Sequence, residues 1–312
     1  MIVRLGYACI SETVNAVTSS TYTYTNYKKE HDDIKLCEIV KSNLNALLEI
    51  LKYNAKNNIH FYRLSSKLIP LATHKAVNFD YLDGFSVYYK SLSTLIKKYD
   101  MRIDFHPDQF CVINSVNKDV YDNSLEILKY HYNILEKLNI TNKVLVLHVG
   151  SSTFGKFNSL RRFINNFNKL DDNIKKSIVI ENDDKVFNIS DCLYISSEIG
   201  IPIVLDYHHH ICNGEGIELF DYIDDIFKTW KNNNPKVHFS SPKNNTKKYF
   251  RAHHDYIDSD TFIDFIEKIK YLDYDIDIMI EAKKKDEALF RLIRELKYKT
   301  NYKFIDETSF IP

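Results

Sequence analysis

The chain has 312 residues, of which 44% are hydrophobic and 27% are charged, a composition typical of a globular protein that buries a substantial core. This balance excludes disordered and fibrous proteins. The 42 Lys and Arg residues equal the 42 Asp and Glu residues in number, so the chain as a whole has no excess charge to attract nucleic acid. Any basic surface must therefore be local.

The five cysteines are scattered and form no C-x-x-C pair, which argues against a disulfide framework and a zinc knuckle. The first residues, MIVRLGY, contain too short an apolar run for a signal peptide, and no apolar stretch approaches the ~18 residues that would cross a membrane. We therefore expect a soluble, intracellular protein without membrane contact. Its compartment would be the cytoplasm, or the nucleus or a viral factory if the source is eukaryotic or viral.

Eight runs rich in Ile and Val are predicted as strands, and their continuous apolar character is typical of a parallel sheet buried on both faces. The predicted strands are Ile2–Gly6, Ile59–Leu64, Met101–Phe105, Val144–His148, Ile178–Glu181, Ile203–Asp206, Val237–Phe239 and Ile276–Glu281. Apolar residues at helical spacing lie between them, most clearly at Leu36–Leu51, Leu125–Leu138, Phe262–Ile269 and Ala288–Leu296.

Eight alternations of strand and helix predict an α/β protein with one domain over residues 1–312, a (β/α)8 TIM barrel. A doubly wound open sheet is the alternative. It fits less well because a metal-competent side chain at the end of nearly every strand requires strand ends arranged in a ring. The chain has only 7 glycines and no G-x-G-x-x-G motif, so we expect no nucleotide cofactor.

Most of the predicted strands end in a side chain that can bind a metal. In a parallel barrel these ends converge on the face that carries the active site. Mixed imidazole and carboxylate ligands suit Mn, Fe or Zn, and close metals can hydrolyse a phosphodiester. We therefore predict a multinuclear hydrolytic site, in which His209 joins through a D-x-x-H pair. The strand-end residues are His106, His148, Glu181, Asp206, His238 and Glu281.

Four residues just past strands on the same face are candidates for contact with DNA. Arg63 precedes two serines and is predicted to bind a phosphate, although a structural role is an equal alternative. Tyr7, Gln109 and Phe110 could stack on bases or wedge between them, with core packing as the alternative.

A basic loop is predicted within the barrel at residues 241–252. It carries Lys243 and Lys247 together with Lys248 and Arg251, between a strand and the next helix. A plain solvated loop is the alternative. Its place on the face that carries the metal-competent side chains favours contact with DNA.

The sequence resembles the UV damage endonuclease family, relatives of endonuclease IV among the xylose-isomerase-like TIM barrels. Nine blocks in the expected order carry the resemblance through nearly the whole chain. They are RLGYACIS at 4–11, FYRLSSKLIPLATH at 61–74, HPDQFCVINS at 106–115, LVLHVG at 145–150, IENDD at 180–184, LDYHHH at 205–210, PKVHFSS at 235–241, RAHHDYI at 251–257 and MIEAKKKD at 279–286.

The resemblance implies an endonuclease that nicks double-stranded DNA directly 5′ of UV photoproducts. Cyclobutane dimers and 6-4 photoproducts are the expected lesions, with abasic sites as a further substrate. The expected cofactors are three divalent metal ions, with Mn²⁺ favoured over Zn²⁺, Mg²⁺ or Co²⁺. We expect the protein to act as a monomer.

The resemblance also implies roles for individual residues. Gln109 and Phe110 match residues that enter the duplex, with Phe at 110 where some members have Tyr, and Tyr7 matches a residue of the lesion pocket. Glu181, Lys236 and His74 are expected to act in catalysis, and Lys236 matches a lysine that family members can carboxylate. The expected metal ligands are His106, His148, Glu181, Asp206, His209, Lys236, His238, His253 and Glu281.

Three other functions are weighed against this one. An apurinic or apyrimidinic endonuclease of the endonuclease IV type would use a similar site. A metal-dependent sugar isomerase would also use similar ligands but would have no use for the basic loop or for Gln109 and Phe110. A damage-binding protein without catalysis would bind lesions without nicking, which the full set of candidate ligands disfavours.

Overall fold

The computed structural model, which describes residues 1–30 and 32–312, is a barrel of eight parallel strands. Each strand pairs with the next, and β1 pairs with both β8 and β2, so the barrel is closed. The predicted TIM barrel is confirmed. The strands are β1 (Val3–Ala8), β2 (Phe61–Leu64), β3 (Arg102–Phe105), β4 (Leu145–His148), β5 (Ile178–Glu181), β6 (Ile203–Asp206), β7 (Lys236–Phe239) and β8 (Ile276–Ile280).

Helices follow the strands and pack outside them. The four predicted helical patterns lie within α2, α4, α10 and α11, except that Leu138 follows the last residue of α4. The helices are α1 (Tyr24–Glu30), α2 (Asp33–Lys56), α3 (Ser86–Lys98), α4 (Lys118–Lys137), α5 (Lys156–Phe167), α6 (Asp172–Ser177), α7 (Ile189–Ile199), α8 (Tyr207–Asn213), α9 (Leu219–Lys228), α10 (Ser259–Ile269) and α11 (Lys285–Lys299). In the described part of the chain, none of them has both the length and the apolar character needed to cross a bilayer.

Two short strands that the sequence does not predict follow α11. They are β9 (Lys303–Phe304) and β10 (Ser309–Ile311), and they pair with each other. β10 also pairs antiparallel with the first residues of β1. On the same edge of β1, β2 pairs with the later residues of β1. Consequently β1 has a neighbour on both sides along its whole length.

Alternation along the strands decides which side chains reach the barrel interior. Leu5, Leu145 and Leu147 belong to the large core between strands and helices. The intervening residues, such as Val146, therefore point inward. The same alternation directs the final His or carboxylate of several strands to the interior. At Gly6 an added Cβ would lie 2.1 Å from the carbonyl oxygen of Phe61, so this inward position requires glycine.

A buried ion-pair network lies at the opposite, amino-terminal end of the barrel. Asp277 accepts hydrogen bonds from Arg4 Nε at 2.6 Å, Arg4 Nη2 at 2.9 Å and Arg102 Nη1 at 2.6 Å. Burial would raise the pKa of Asp277, but Arg102 and Arg4 hold it below its ordinary value. The network joins β1, β3 and β8.

Replacing Asp277 with Asn should destabilise the protein, because two partly buried guanidinium groups lose their counter-ion. Loss of one partner of a buried pair costs about 3 to 5 kcal/mol in free energy of unfolding, measured by urea denaturation. The stability that Asp277 contributes should be present at neutral pH and lost as the pH falls below the ordinary carboxyl range.

The matched control is Asp122→Asn, which removes an aspartate from the exposed pair with Lys118 on α4. Exposed pairs contribute little to stability, so this variant should unfold like the unchanged protein. Equal stability of Asp277→Asn and Asp122→Asn would contradict the role given to the buried network.

Candidate metal centre

Glu181, at the end of β5, lies at the centre of the carboxyl-terminal end of the barrel. Its Oε2 atom is 2.8 Å from His106 Nε2 and 3.6 Å from His148 Nε2. Its Oε1 atom is 2.7 Å from His238 Nδ1 and 3.8 Å from His209 Nδ1. The side chain is 1% exposed. One buried carboxylate therefore contacts histidines from four different parts of the barrel.

The ligand atoms form three overlapping groups, each with its members within 4.8 Å of one another. Glu181 belongs to two of the groups and Asp206 to two. Shared carboxylates place the groups side by side, as a multinuclear site requires. The groups are His106, His148 and Glu181; Glu181, Asp206 and His209; and Asp206, His238 and Glu281.

Two histidines of the cluster are oriented by backbone carbonyl groups. His106 Nδ1 lies 3.0 Å from the carbonyl oxygen of Pro107, which leaves Nε2 facing Glu181. His209 Nδ1 lies 2.9 Å from the carbonyl oxygen of Asn182. Hydrogen bonds of this kind fix the tautomer and ring orientation of metal-binding histidines.

The electrostatics of the cluster favour bound cations. Burial would raise the pKa of Glu181, but His238, His148 and His106 hold it well below its usual range. For Glu281, Arg63 and His238 likewise overcome burial and lower the pKa. These carboxylates are therefore ionised in a buried site.

The residues present fit divalent metal ions. Four buried or nearly buried carboxylates (Asp104, Glu181, Asp206 and Glu281) lie at this end of the barrel with two cationic side chains, Arg63 and Lys236. Burial raises the pKa of Asp206 to about 8, and a metal ion bound beside this carboxylate would take the place of its proton. In addition, Asp206 Oδ2 and His148 Nδ1 are buried without a hydrogen-bond partner among the described residues. The mixed oxygen and nitrogen donors suit Mn, Fe or Zn.

His253 lies at the edge of the cluster, with Nδ1 4.0 Å from Glu281 Oε2. It is in none of the three ligand groups formed by the described residues. Its neighbour His254 is exposed and accepts a hydrogen bond from the backbone amide of Tyr256. The structure thus places His253, not His254, beside the site.

The triple histidine run on α8 contributes one side chain to the cluster in the part of the chain that is described. His209 faces Asp206 and Glu181. His208 is buried beside Cys212, with 3.7 Å between Nε2 and Sγ. His210 is half-buried, and an added Cβ on Gly214 would lie 3.0 Å from its ring. The choice of His209 from its D-x-x-H spacing therefore agrees with the geometry.

Arg63 is buried, and its position corrects the prediction that it binds a DNA phosphate. Nη1 donates to Glu281 Oε1 at 2.6 Å, and Nη2 lies 2.6 Å from His238 Nε2. Nε is 3.7 Å from Asp104 Oδ1. The guanidinium group is occupied by protein groups below the open face, so Arg63 orients Glu281 and His238.

Lys236 and Asp104 form a fully buried pair beside Arg63, with 2.5 Å between Nζ and Oδ2. Burial lowers the pKa of Lys236 to about 8, against the attraction of Asp104. The structure thus pairs the Lys236 ammonium with Asp104 rather than with the candidate metal ligands.

Tyr7 is also a buried residue, and its position corrects the prediction of a lesion contact. It points between the barrel and α2, where its hydroxyl donates to Asn54 Oδ1 at 2.8 Å. Its ring packs against Tyr62 at 5.1 Å between centroids. Core packing, the alternative weighed from the sequence, describes Tyr7 in this structure.

The other residues expected to act on DNA are exposed, except His74, which is half-buried. Gln109 and Phe110 form a turn after β3, and Phe110 is 68% exposed. His74, between β2 and α3, is half-buried and stacks on Tyr24 at 3.8 Å between centroids. Lys243 and Lys247 are exposed in the basic loop at residues 241–252, which has no helix or extended strand.

Two residues that support the cluster were not predicted. Asp104 could have been found, since it lies two positions before His106 on β3 and alternation directs both inward. Asn182 follows Glu181 and fixes the end of β6. Its side chain donates to the Asp206 carbonyl oxygen and accepts from the Asp206 amide, both at 2.9 Å. No sequence pattern points to the contact between Asn182 and Asp206.

Comparisons with known proteins agree with this geometry. The model of a family described as UV-endonuclease UvdE matches residues 3–309. A UV DNA damage endonuclease of Bacillus cereus (strain G9842) is 40% identical over 304 residues, which cover 95% of each chain. Its counterpart in Bacillus anthracis is 39% identical over the same length.

Two solved structures extend the comparison. The crystal structure of SacUVDE matches with a TM-score of 0.87 and 35% identity, covering 95% of this chain and 98% of that one. Endonuclease IV from Thermus thermophilus, at 10% identity and a TM-score of 0.59, covers 95% of this chain and 100% of its own and shares the fold. The match to the family model over nearly its whole length shows that this chain belongs to the UV-endonuclease UvdE family.

Proposed function

We propose that this protein is a metal-dependent endonuclease that nicks double-stranded DNA 5′ of UV photoproducts. The observation that carries the proposal is the buried cluster around Glu181, in a chain that is 40% identical to a UV DNA damage endonuclease across 95% of its length. Cyclobutane dimers and 6-4 photoproducts are the proposed main lesions, and abasic sites a further one.

We propose three divalent metal ions, one for each group of ligand atoms, and Mn²⁺ as the preferred metal. Bound there, such ions would supply Lewis acidity for attack on a phosphodiester at neutral pH. His106, His148 and Glu181 would hold one ion, and Glu181 would share a second with Asp206 and His209. His238 and Glu281 would hold the third with Asp206, and His253 lies close enough to Glu281 to join it.

Exposed residues around the cluster would select the lesion. Photoproducts weaken stacking and pairing, so bending the duplex and extruding the damaged bases costs less there than in intact DNA. Gln109 and Phe110 would fill the gap that the bases leave. Lys243 and Lys247 would contact backbone phosphates, which supplies attraction that a chain with zero net charge otherwise lacks.

The position of His74 also limits the role that its side chain can have. The side chain lies outside the ligand groups formed by the described residues and stacks on Tyr24. In our proposal it donates a hydrogen bond to the scissile phosphate from its exposed edge.

The function is tested with a duplex that carries one cyclobutane dimer, incubated with the protein and Mn²⁺. We expect a single cut directly 5′ of the dimer, leaving a 3′-hydroxyl and a 5′-phosphate. A chelator should abolish cutting, and returning Mn²⁺, Mg²⁺, Zn²⁺ or Co²⁺ separately should show which metal restores it best. A folded, metal-loaded protein that cuts an abasic duplex but never the dimer would overturn the lesion assignment.

In the same assay Glu181→Gln should lower the cutting rate by about 100-fold or more, with reduced metal content, because a shared carboxylate ligand is lost. Glu126→Gln is the control, since Glu126 is exposed and pairs only with Lys129 on α4 among the described residues. Normal cutting and metal content in Glu181→Gln would refute the site.

Lys236 is proposed to carry a carboxylated side chain in the active enzyme. Carbon dioxide reacts with the neutral amine and releases a proton, and burial lowers the pKa of Lys236 to about 8, which makes that form accessible. A carbamate would replace the ion pair with Asp104 by an anionic oxygen near the metals. Protein supplied with ¹³C-bicarbonate should then show a ¹³C carbamate resonance that Lys236→Met lacks. Identical spectra would exclude the modification.

Replacing both Gln109 and Phe110 with Ala should lower the preference for damaged over intact duplex about tenfold or more, since stacking on each base is lost. Metal content should stay unchanged, because neither residue is a candidate ligand. Relative cutting rates and bound metal are the measurements. The exposed Tyr298 on α11 provides the control Tyr298→Ala. An unchanged preference in the double variant would contradict the proposal that Gln109 and Phe110 fill the gap in the duplex.

A further inference from the structure

A second exposed phenyl ring lies on the metal-binding face of the barrel, in the loop at residues 149–155 between β4 and α5. Phe154 is 75% exposed, and its φ angle of 67° is in the left-handed region that disfavours a bulky side chain. The loop starts directly after the candidate ligand His148. The ring is therefore exposed to solvent, in a loop that begins beside a candidate ligand and in a backbone conformation that glycine would adopt more easily.

Hydrogen bonds fix this loop to its own helix. Arg162 Nη2 on α5 donates to the Thr153 carbonyl oxygen at 2.9 Å. Asn158 Nδ2 donates to the Phe154 carbonyl oxygen at 2.9 Å. The carbonyl groups of Thr153 and Phe154 are thus tied to the first turns of α5, so the loop presents the ring from a defined position.

The same loop is bound to the loop that carries Gln109 and Phe110. Asn114, which is fully buried, donates to the Ser151 carbonyl oxygen and accepts from the Ser151 amide, both at 2.8 Å. Arg162 Nε donates to the Asn114 carbonyl oxygen. At Gly150, where φ is +103°, an added Cβ would lie 2.7 Å from Asn114 Oδ1. The two loops therefore form one unit that presents both Phe110 and Phe154.

The segment around Phe154 has no acidic side chain of its own, and its Lys156 pairs with Asp191 and Glu215 of neighbouring elements. Residues 149–158, VGSSTFGKFN, contain no carboxylate. In the described part of the chain, no aromatic or cationic group lies over the Phe154 ring, whereas Arg161 lies 5.9 Å from the centre of the Phe157 ring. The Phe154 ring is thus available to a base, and bases of any sequence stack on aromatic side chains.

We propose that Phe154 is a second DNA-stacking residue that contacts an unpaired base of the distorted duplex, beside the gap filled by Gln109 and Phe110. This inference rests on the proposed function. It assigns lesion selectivity to two loops joined through Asn114 instead of to one. Phe154 contributes to binding of damaged DNA and not to the metal centre.

The test compares Phe154→Ala, Phe154→Gly and Phe154→Trp in binding to a duplex with one cyclobutane dimer and to the matched intact duplex. Loss of the ring in the Ala and Gly variants should raise the Kd for damaged duplex about tenfold, with the Kd for intact duplex changed less than about twofold. The Trp variant should bind like the unchanged protein. Metal content should be equal in all of them.

The Gly variant separates stacking from loop geometry, because glycine accepts the left-handed backbone without a ring. Weak binding by Ala with normal binding by Gly would overturn the proposal, as would equally weak binding by Ala and Trp. The control is Tyr298→Ala, since Tyr298 is 90% exposed near the end of α11, at the other end of the barrel, and should not affect binding.

Two further outcomes are distinguishable. If the unchanged protein prefers damaged duplex and both Phe154→Ala and Phe154→Gly keep that preference, only this inference fails. If the unchanged protein shows no preference for damaged duplex, the proposed function and this inference fail together. A dimer in sedimentation that Phe154→Ala dissociates would assign the ring to self-association and would also overturn the inference.

Discussion

The buried carboxylate of Glu181 is the group on which the rest of the site depends. An isolated carboxylate in the barrel interior would be costly in free energy, so it must be surrounded by cations or by hydrogen-bond donors. His106 and His238 lie within hydrogen-bonding distance of Glu181, and His148 and His209 lie 3.6 and 3.8 Å from it. Each of the four comes from a different strand end or the helix beyond it. The parallel barrel provides this arrangement because it brings the carboxyl ends of all its strands to one place.

Further inside, the interior charges are arranged in layers. Arg63 and Lys236 both lie beside Asp104, below the ligand groups. Arg4, Arg102 and Asp277 form a separate set at the opposite end. Each charge in these layers has an opposite charge within reach, which lets the barrel bury many ionised groups. The ligand groups are the layer in which carboxylates exceed cations, and metals fit there.

Alternation of side chains along a strand explains both the successes and the errors of the sequence predictions. It placed the ends of six of the eight barrel strands correctly, since the last residue of a buried strand has a recognisable apolar run before it, whereas β1 ends two residues later than predicted and β8 one residue earlier. Tyr7 was predicted to face the lesion because it follows an apolar run. However, Gly6 and Ala8 occupy the inward positions, which directs Tyr7 to the helices.

Arg63 shows a different limit of prediction from the sequence. It was predicted just past a strand but lies inside β2. Its partners come from β3, β7 and the end of β8, and pairing between distant strands is not encoded in local spacing. β9 and β10 were missed because two and three residues are too few to show a period. Phe154 was likewise not predicted, because a single exposed phenyl ring in a loop has no pattern.

The pairing of β10 with β1 has a consequence for synthesis of the protein on the ribosome. Val3 pairs with Phe310 and with Ile276, so both of its neighbours are made long after Val3 itself. Until they emerge, the start of β1 is an apolar strand with open edges, the kind of segment that associates with other chains. The nascent chain must therefore keep this strand protected until Ile276 and Phe310 have emerged from the ribosome.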